Sequence, residues 1–292
     1  MATTFTGQEI YSKEVFKALT PQLAPLKAFS TDFSQEAKQP GESVSVQLVE
    51  ADTVADFDAT SNNFKRAAST NKKVTVTFGT AKIVGFNVTP YQRNNFNPGW
   101  WKQKAEVNAD TLADTILTGA CSIITAANFA KVKTIASDST ITLAELSAIK
   151  SYAAKQKLNP RRCSLGLDLE LFAELERIYN TAKSGLTHAQ AMSELAAAVG
   201  VKQVFAVPQL PNGLLGFICE PSAIAVAGRN FRPCSDKPYE SVQEIMDPES
   251  GIGMTLVDYV DGDTGSENIS ATGLFNAAVG VGDALVRITK AS

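Results

Sequence analysis

The chain has 292 residues, with 27 Lys plus Arg against 30 Asp plus Glu and a formal net charge of −3. A compact unit of this size exposes about 12,000 Å² of the roughly 45,000 Å² an extended chain shows, so a sizeable core is available, in one large domain or two ordinary ones. The near-neutral balance argues against a dedicated duplex-DNA reader, and the single histidine excludes a His-rich zinc centre.

The four cysteines, Cys121, Cys163, Cys219 and Cys234, form no C-x-x-C pair, which excludes a zinc ribbon or a thioredoxin-like motif. They read as small buried hydrophobes. The first residues lack the charged and apolar regions of a signal peptide, and no stretch approaches the ~18 uninterrupted apolar residues of a spanning helix, so the expected compartment is a reducing cytosol without membrane contact.

Residues 1–35 are weakly patterned and read as an arm. Ser12 to Leu19 favours a short amphipathic helix that Pro21 and Pro25 stop. Ser43 to Val49 alternates with period two, as does Lys73 to Phe78, and Thr80 to Thr89 continues the second run with Gly85 at a bulge. The polar stretch between these runs makes the whole a long two-stranded excursion, and a lone hairpin needs a partner surface in water.

A long helix over 98–127 follows the Asn97-Pro98-Gly99 lead-in, with Trp101, Ala105, Ala109, Leu112, Ile116, Ala120, Ile123 and Ala127 on one face. It predicts a rod of about 40–45 Å. From 131 to 232 the pattern alternates in α/β fashion. Thr142-Leu-Ala-Glu145 is a capping box opening a helix to Lys157. A strand at Cys163–Leu167, helices at 168–182 and 187–198, and strands at 202–207, 213–219 and 222–227 follow. The chain closes with strands at 253–260, 269–279 and 284–288, with the turn Asp261-Gly-Asp-Thr-Gly265 between the first two.

The net charge hides a segregation. Residues 59–105 carry eight basic residues, among them Lys65, Arg66, Lys72, Lys73 and Lys82, and no acidic one. Residues 236–267 carry nine acidic residues, among them Asp258, Asp261, Asp263 and Glu267, against Lys237 alone. The two stretches are either solvated faces or complementary halves of an interface, where charge fixes register and speeds encounter.

The search for catalytic motifs fails. There is no nucleophile elbow, Walker A loop, H-E-x-x-H, or G-x-G-x-x-G opening a helix. His188 reads as a surface or capping residue. Asp261 to Glu267 lacks the glycine and distal glutamate of a calcium loop and reads as a polar turn. Trp100-Trp101 at a helix start reads as packing, with base stacking the lesser alternative. No catalytic, cofactor or metal site is assigned. Arms and excursions order backbone without burying it locally, so they make sense when neighbours supply the missing surface.

This element order resembles the major capsid proteins of tailed double-stranded-DNA bacteriophages, the Hong Kong 97-like fold. The likeness is carried by Phe33 to Glu36 entering Gly41–Val46, by Lys73–Phe78, by Lys102–Asn128, by Ile141–Leu146, Arg162–Asp168, Phe205–Gly213 and Leu215–Cys219, and by Gly251–Val257 through Val281–Ile288. The resemblance implies an α+β chain with an N-terminal arm (1–35), a first strand and extended β-hairpin loop (36–96), a long spine helix in a peripheral domain (97–135), an axial α/β domain (136–230) and a return to peripheral β-sheet strands (231–292).

It also implies a non-enzymatic role. Copies would form hexamers and pentamers that tile an icosahedral shell around double-stranded DNA held without sequence specificity, as a virion capsid assembled in the bacterial host cytoplasm. The basic residues Lys65, Arg66, Lys72, Lys73 and Lys82 of one subunit would dock on Asp258, Asp261, Asp263 and Glu267 of its neighbour. Portal, scaffolding or decoration proteins are possible further partners under this resemblance, and with so few residues ahead of the first strand the expectation is a separate scaffolding protein, or none, instead of a fused scaffolding domain. Nothing around Lys65, Lys72, Lys73 or Lys82 marks one for isopeptide cross-linking. An encapsulin-type shell holding enzyme cargo is the leading alternative, followed by a cytosolic α/β enzyme with dispersed catalytic residues and by a phage tail or decoration protein.

Overall fold

The computed structural model describes residues 7–49, 72–95, 97–182, 188–234, 239–246 and 251–291. The tip of the two-stranded excursion, with Lys65 and Arg66, and the side chain of His188 lie outside the described residues.

Helix α1 (Gly7–Gln22) leads through a short 3₁₀ turn to strand β1 (Ser30–Lys38). Then come β2 (Ser43–Leu48), β3 (Lys72–Thr77), β4 (Lys82–Val88), α2 (Pro90–Asn95) and α3 (Pro98–Cys121). The next stretch runs β5 (Val132–Ile135), α4 (Leu143–Lys155), β6 (Ser164–Leu167), α5 (Leu169–Ala182), α6 (His188–Val199), β7 (Gln203–Ala206) and β8 (Leu214–Cys219). The last is β9 (Ile224–Phe231), β10 (Ser241–Met246), β11 (Gly253–Val260), β12 (Glu267–Val279) and β13 (Leu285–Lys290).

The first sheet has β12 at its centre. Gly273 has Lys82 of β4 and Asn230 of β9 both opposite it, so those two strands flank β12 on different edges. Strand β11 pairs with the first half of β12 and carries β10 outside it, while β1 runs parallel to β9. The second sheet has the order β5-β13-β8-β6-β7. Strand β6 is buried at all four positions, as expected of a strand covered on both faces. Its core draws Leu146 and Ile149 from α4, Leu171 and Leu175 from α5, and Leu195 from α6.

Helix α3 joins the halves. Its buried stripe, Trp101, Ala105, Ala109, Leu112, Ile116 and Ala120, shares one core with α1, with Met254, Leu256 and Ile269 of the first sheet, and with Phe217, Cys219 and Leu285 of the second. Asn97 caps it through a bond from the Trp100 N–H at 2.9 Å, with Pro98 in the first turn. The helix ends at Cys121, short of the expected residue 127: Asn128 donates to the Ile123 carbonyl, and Phe129 turns into the core while Ala127 stays exposed.

Five expectations are corrected. Helix α1 is a core element, with Tyr11, Val15 and Leu19 fully buried; Pro21 falls on the exposed side of its last turn, so it does not stop the helix early. Strand β1, unread in the sequence, has a register shift between Ser34 and Lys38 that breaks the period of two. The run from Lys73 to Thr89 divides, β3 pairing with β2 and β4 leaving to join β12. Gly85 is no bulge: its pairing is in register with Ser270, and a Cβ there would lie 2.6 Å from the Ile269 carbonyl oxygen. Finally, β9 crosses from the α/β stretch into the first sheet, while β13 pairs with β5 and β8 in the second.

Candidate inter-subunit surface

The β2–β3 hairpin rises from the first sheet. Its pairing runs from Ser43 opposite Thr77 to Leu48 opposite Lys72, and one face, Val46, Leu48, Val76 and Phe78, is buried on Ala225, Ala227 and Leu274. A bond holds each end of this pairing: Asn276 Nδ2 donates to the Thr77 carbonyl at 2.7 Å, and Lys72 Nζ to the Gly280 carbonyl at 3.1 Å. Gly280 sits where the chain crosses between the sheets, and a Cβ there would lie 2.3 Å from the Ser222 carbonyl oxygen. The opposite hairpin face, Ser43, Ser45, Gln47, Lys73, Thr75 and Thr77, is exposed. Beyond it, Val49 is 80% and Ile83 69% exposed.

Among the described residues, the proposed basic and acidic contacts form no ion pair within one chain. Lys82 pairs with Gly273 at one end of β4, whereas Val88, at the other, pairs with Glu267 beside the acidic turn. Six residues of strand separate them, about 20 Å. Lys73 and Lys82 are exposed, and so is Asp263. Asp258 and Glu267 are 3% and 7% exposed, so neither offers its charge to a neighbour; both face inward because their strand positions share the core side with Leu256 and Ile269. Lys72 is exposed, but its amine is engaged by Gly280.

The turn after β11 closes on itself. The Asp261 carboxylate accepts from the Asp263 N–H at 3.0 Å and from the Thr264 hydroxyl at 2.9 Å, and these bonds, the backbone one foremost, hold its carboxyl below the usual range. This is the expected polar turn. The two tryptophans pack: Phe86 lies edge-on to Trp100 at 5.5 Å and near Trp101 at 5.6 Å, with Tyr11 at 5.0 Å and the Lys104 ammonium 5.6 Å from its centroid. Tyr11 donates no charge here; burial raises its phenol, while its bond with Asn108 at 2.8 Å opposes that.

Sequence reasoning missed a buried ion pair on the β1–β9 seam. Arg229, 4% exposed, reaches the Asp32 carboxylate at 2.9 Å and the Asp32 and Gly228 carbonyls. An arginine in an apolar run was its only signal. Among the described residues no group of acids, cysteines or histidine could hold a metal, and no helix is long and apolar enough to cross a membrane. Burial pushes the Cys121 and Cys163 thiols up to about 12 and Cys219 well up, which leaves them inert. Cys234 departs from the expectation of four buried thiols, because it lies exposed beyond the end of β9.

No family model matches the sequence, and no curated protein does. Among solved structures, the chain is similar to the capsid of cyanophage A-1(L), at 10% identity over 99% of this chain and 94% of that one, with a TM-score of 0.55. It is similar to the virus-like particle of Pyrococcus furiosus, at 12% identity over 95% and 99%, with a TM-score of 0.52. The capsid of a native GTA particle matches at 11% identity over 93% and 91%, also with a TM-score of 0.52. The chain therefore has the α+β Hong Kong 97-like capsid fold.

Proposed function

We propose that the chain is a major capsid protein: copies assemble through hexamers and pentamers into an icosahedral shell that encloses double-stranded DNA. The likeness to shell-forming chains over nearly its whole length carries this reading. In that assignment the second sheet with α4, α5 and α6 is the axial part. The first sheet with α1 and α3 is the peripheral part, and the β2–β3 hairpin is the extended loop.

Head-to-tail contacts that close by rotation make rings from one kind of interface. The hairpin supports such a contact because its outer face stays polar and exposed while its inner face is packed on the first sheet. Lys73 and Lys82, with Lys65 and Arg66 further along the basic segment, would meet the neighbour's acidic turn at Asp261 and Asp263. Lys72 would brace the hairpin within its own subunit. The role is structural rather than catalytic, its place is the virion capsid assembled in a bacterial host, and portal, scaffolding or decoration proteins would join it there.

Negative-stain microscopy of the expressed chain tests this directly, with shells or rings expected and small globules overturning it. Combined Lys73→Glu and Lys82→Glu should cut the assembled fraction by about tenfold at low salt and less at high salt, because exposed charges are screened. Unchanged yield would sink the docking. The likeness to a virus-like particle favours a second reading, a shell around protein cargo. Particle contents separate the two: packaged DNA against an enclosed enzyme.

A further inference from the structure

The second sheet carries opposite charge at its two ends. At one end lie Asp138, Glu145, Asp168 and Glu170, where β5 and β6 finish and α4 and α5 begin, with Lys290 bonded to Asp138 at 2.8 Å. At the other end the strands present, in sheet order, Lys131 before β5, Asp283 before β13, Glu220 after β8, Arg161 and Arg162 before β6, and Lys202 before β7. The Lys202 N–H donates to the Cys163 carbonyl at 2.8 Å, which holds it beside Arg162. The last turn of α4 lies over the same end, since Lys131 Nζ reaches the Gln156 carbonyl at 3.3 Å, and it adds Lys155 and Lys157.

The two acids of this end are already engaged. Glu220 accepts from Arg162 at 3.3 Å and from the Asn159 N–H at 2.8 Å, and Asp283 pairs with Lys131 at 3.3 Å. Lys155, Lys157, Arg161 and Lys202 are exposed and have no acidic partner among the described residues. Helix dipoles explain Lys155 at the C-terminus of α4 and Glu170 at the start of α5. They do not explain Lys202, which lies outside the helices, and the single 3₁₀ turn Pro160–Arg162 that holds Arg161 is too short for an aligned dipole to account for it.

We propose that this end of the second sheet is a nucleic-acid backbone contact. Four strand spacings give the row a length of about 19 Å, enough to lie along several phosphates. Asp283 is exposed within the row and paired with Lys131, and the exposed neutral side chains beside the cations in sequence are Ser151, Ala154 and Asn159. The core of a protein interface is poor in lysine, whereas phosphate contacts use Lys and Arg without reading bases. The choice of partner rests on the shell reading, in which DNA is enclosed. Such a contact is weak and salt-sensitive, which agrees with a chain that carries no overall basic excess.

The test is fluorescence anisotropy of the full-length chain with a random-sequence 30-bp duplex, from ~50 to ~200 mM salt, the range over which counterion release is steep. Combined Lys155→Gln, Arg161→Gln and Lys202→Gln should weaken binding at low salt by about tenfold or more and flatten the salt slope by about 2 to 3. Lys157→Asn, which suits the left-handed backbone at φ 67°, should give a smaller loss without risk to folding. Lys13→Gln with Lys27→Gln, on and just after α1, should change neither. Absent duplex binding, equal affinity for the triple variant, or a loss of self-association in sedimentation with affinity unchanged would each overturn the proposal. Microscopy of the same samples scores the shell reading separately: shells with unaltered affinity defeat this contact alone, and a wild-type chain that forms none defeats the shell.

Discussion

The two sheets are built by different rules. In the second, β6 and β7 are linked by α5 and α6, and four of its five strands come from residues 132–219, with β13 as the exception. In the first, neighbours come from far apart: β1 at residue 30 lies against β9 at 224, and β4 at 82 against β12 at 273. The second sheet is closed over by its own helices. In the first, β9 and most of β11 are buried, while β10, β4 and one face of the β2–β3 hairpin keep exposed positions. One half is assembled from a nearly continuous stretch of chain and the other from distant ones, and the two share the core around α3.

The sharpest test of that division is Phe217, which stacks on Phe29 at 5.7 Å and belongs to the core shared by both sheets. Phe217→Ala should cost about 3–5 kcal/mol and lower hydrogen-exchange protection in both halves. Ile149→Ala, confined to the core under α4, should cost about 2–5 kcal/mol with protection lost in the second sheet alone. Equal spread of the two effects would show that the halves are one cooperative unit.

A smaller effect probes the first sheet. Asp32→Ala leaves Arg229 buried without its carboxylate. Because the Asp32 side chain is 34% exposed, the loss in chemical denaturation should be about 2 kcal/mol, below that of a fully buried pair. The smallest sits on α4. Thr142 accepts from the Glu145 N–H at 3.2 Å, and Glu145 from the Thr142 N–H at 2.9 Å. Thr142→Ala should cost about 1 kcal/mol. The same backbone bond holds Glu145 below its usual pKa, so its contribution is present above the ordinary glutamate range and is lost as pH falls through the lowered folded value. The melting difference between wild type and Glu145→Gln should therefore shrink in acid, and a difference that persists there would remove the capping role.

Legibility followed locality. The capping box of α4, the face of α3 and the limbs of the hairpin were readable because each depends on residues within a few positions. Strand β1 was not, because its polar, shifted register takes meaning only beside β9. The charged surface was half legible. The basic and acidic segments stand out in the sequence, yet Asp258 and Glu267 differ from Asp263 only in which side of a strand or turn they occupy. The basic end of the second sheet was invisible, since its residues come from five separate elements and their margins.

Composition and periodicity alone determined that this chain mixes helices with strands and separates its charge along the sequence. They could do so because helix faces, caps and net charge are properties of neighbouring residues. Only the tertiary structure decided that the N-terminal segment is core, that β9 and β13 exchange sheets, and which acids stay at the surface. Those outcomes depend on burial against distant partners, and the energy of that burial is not written in any local stretch of the chain.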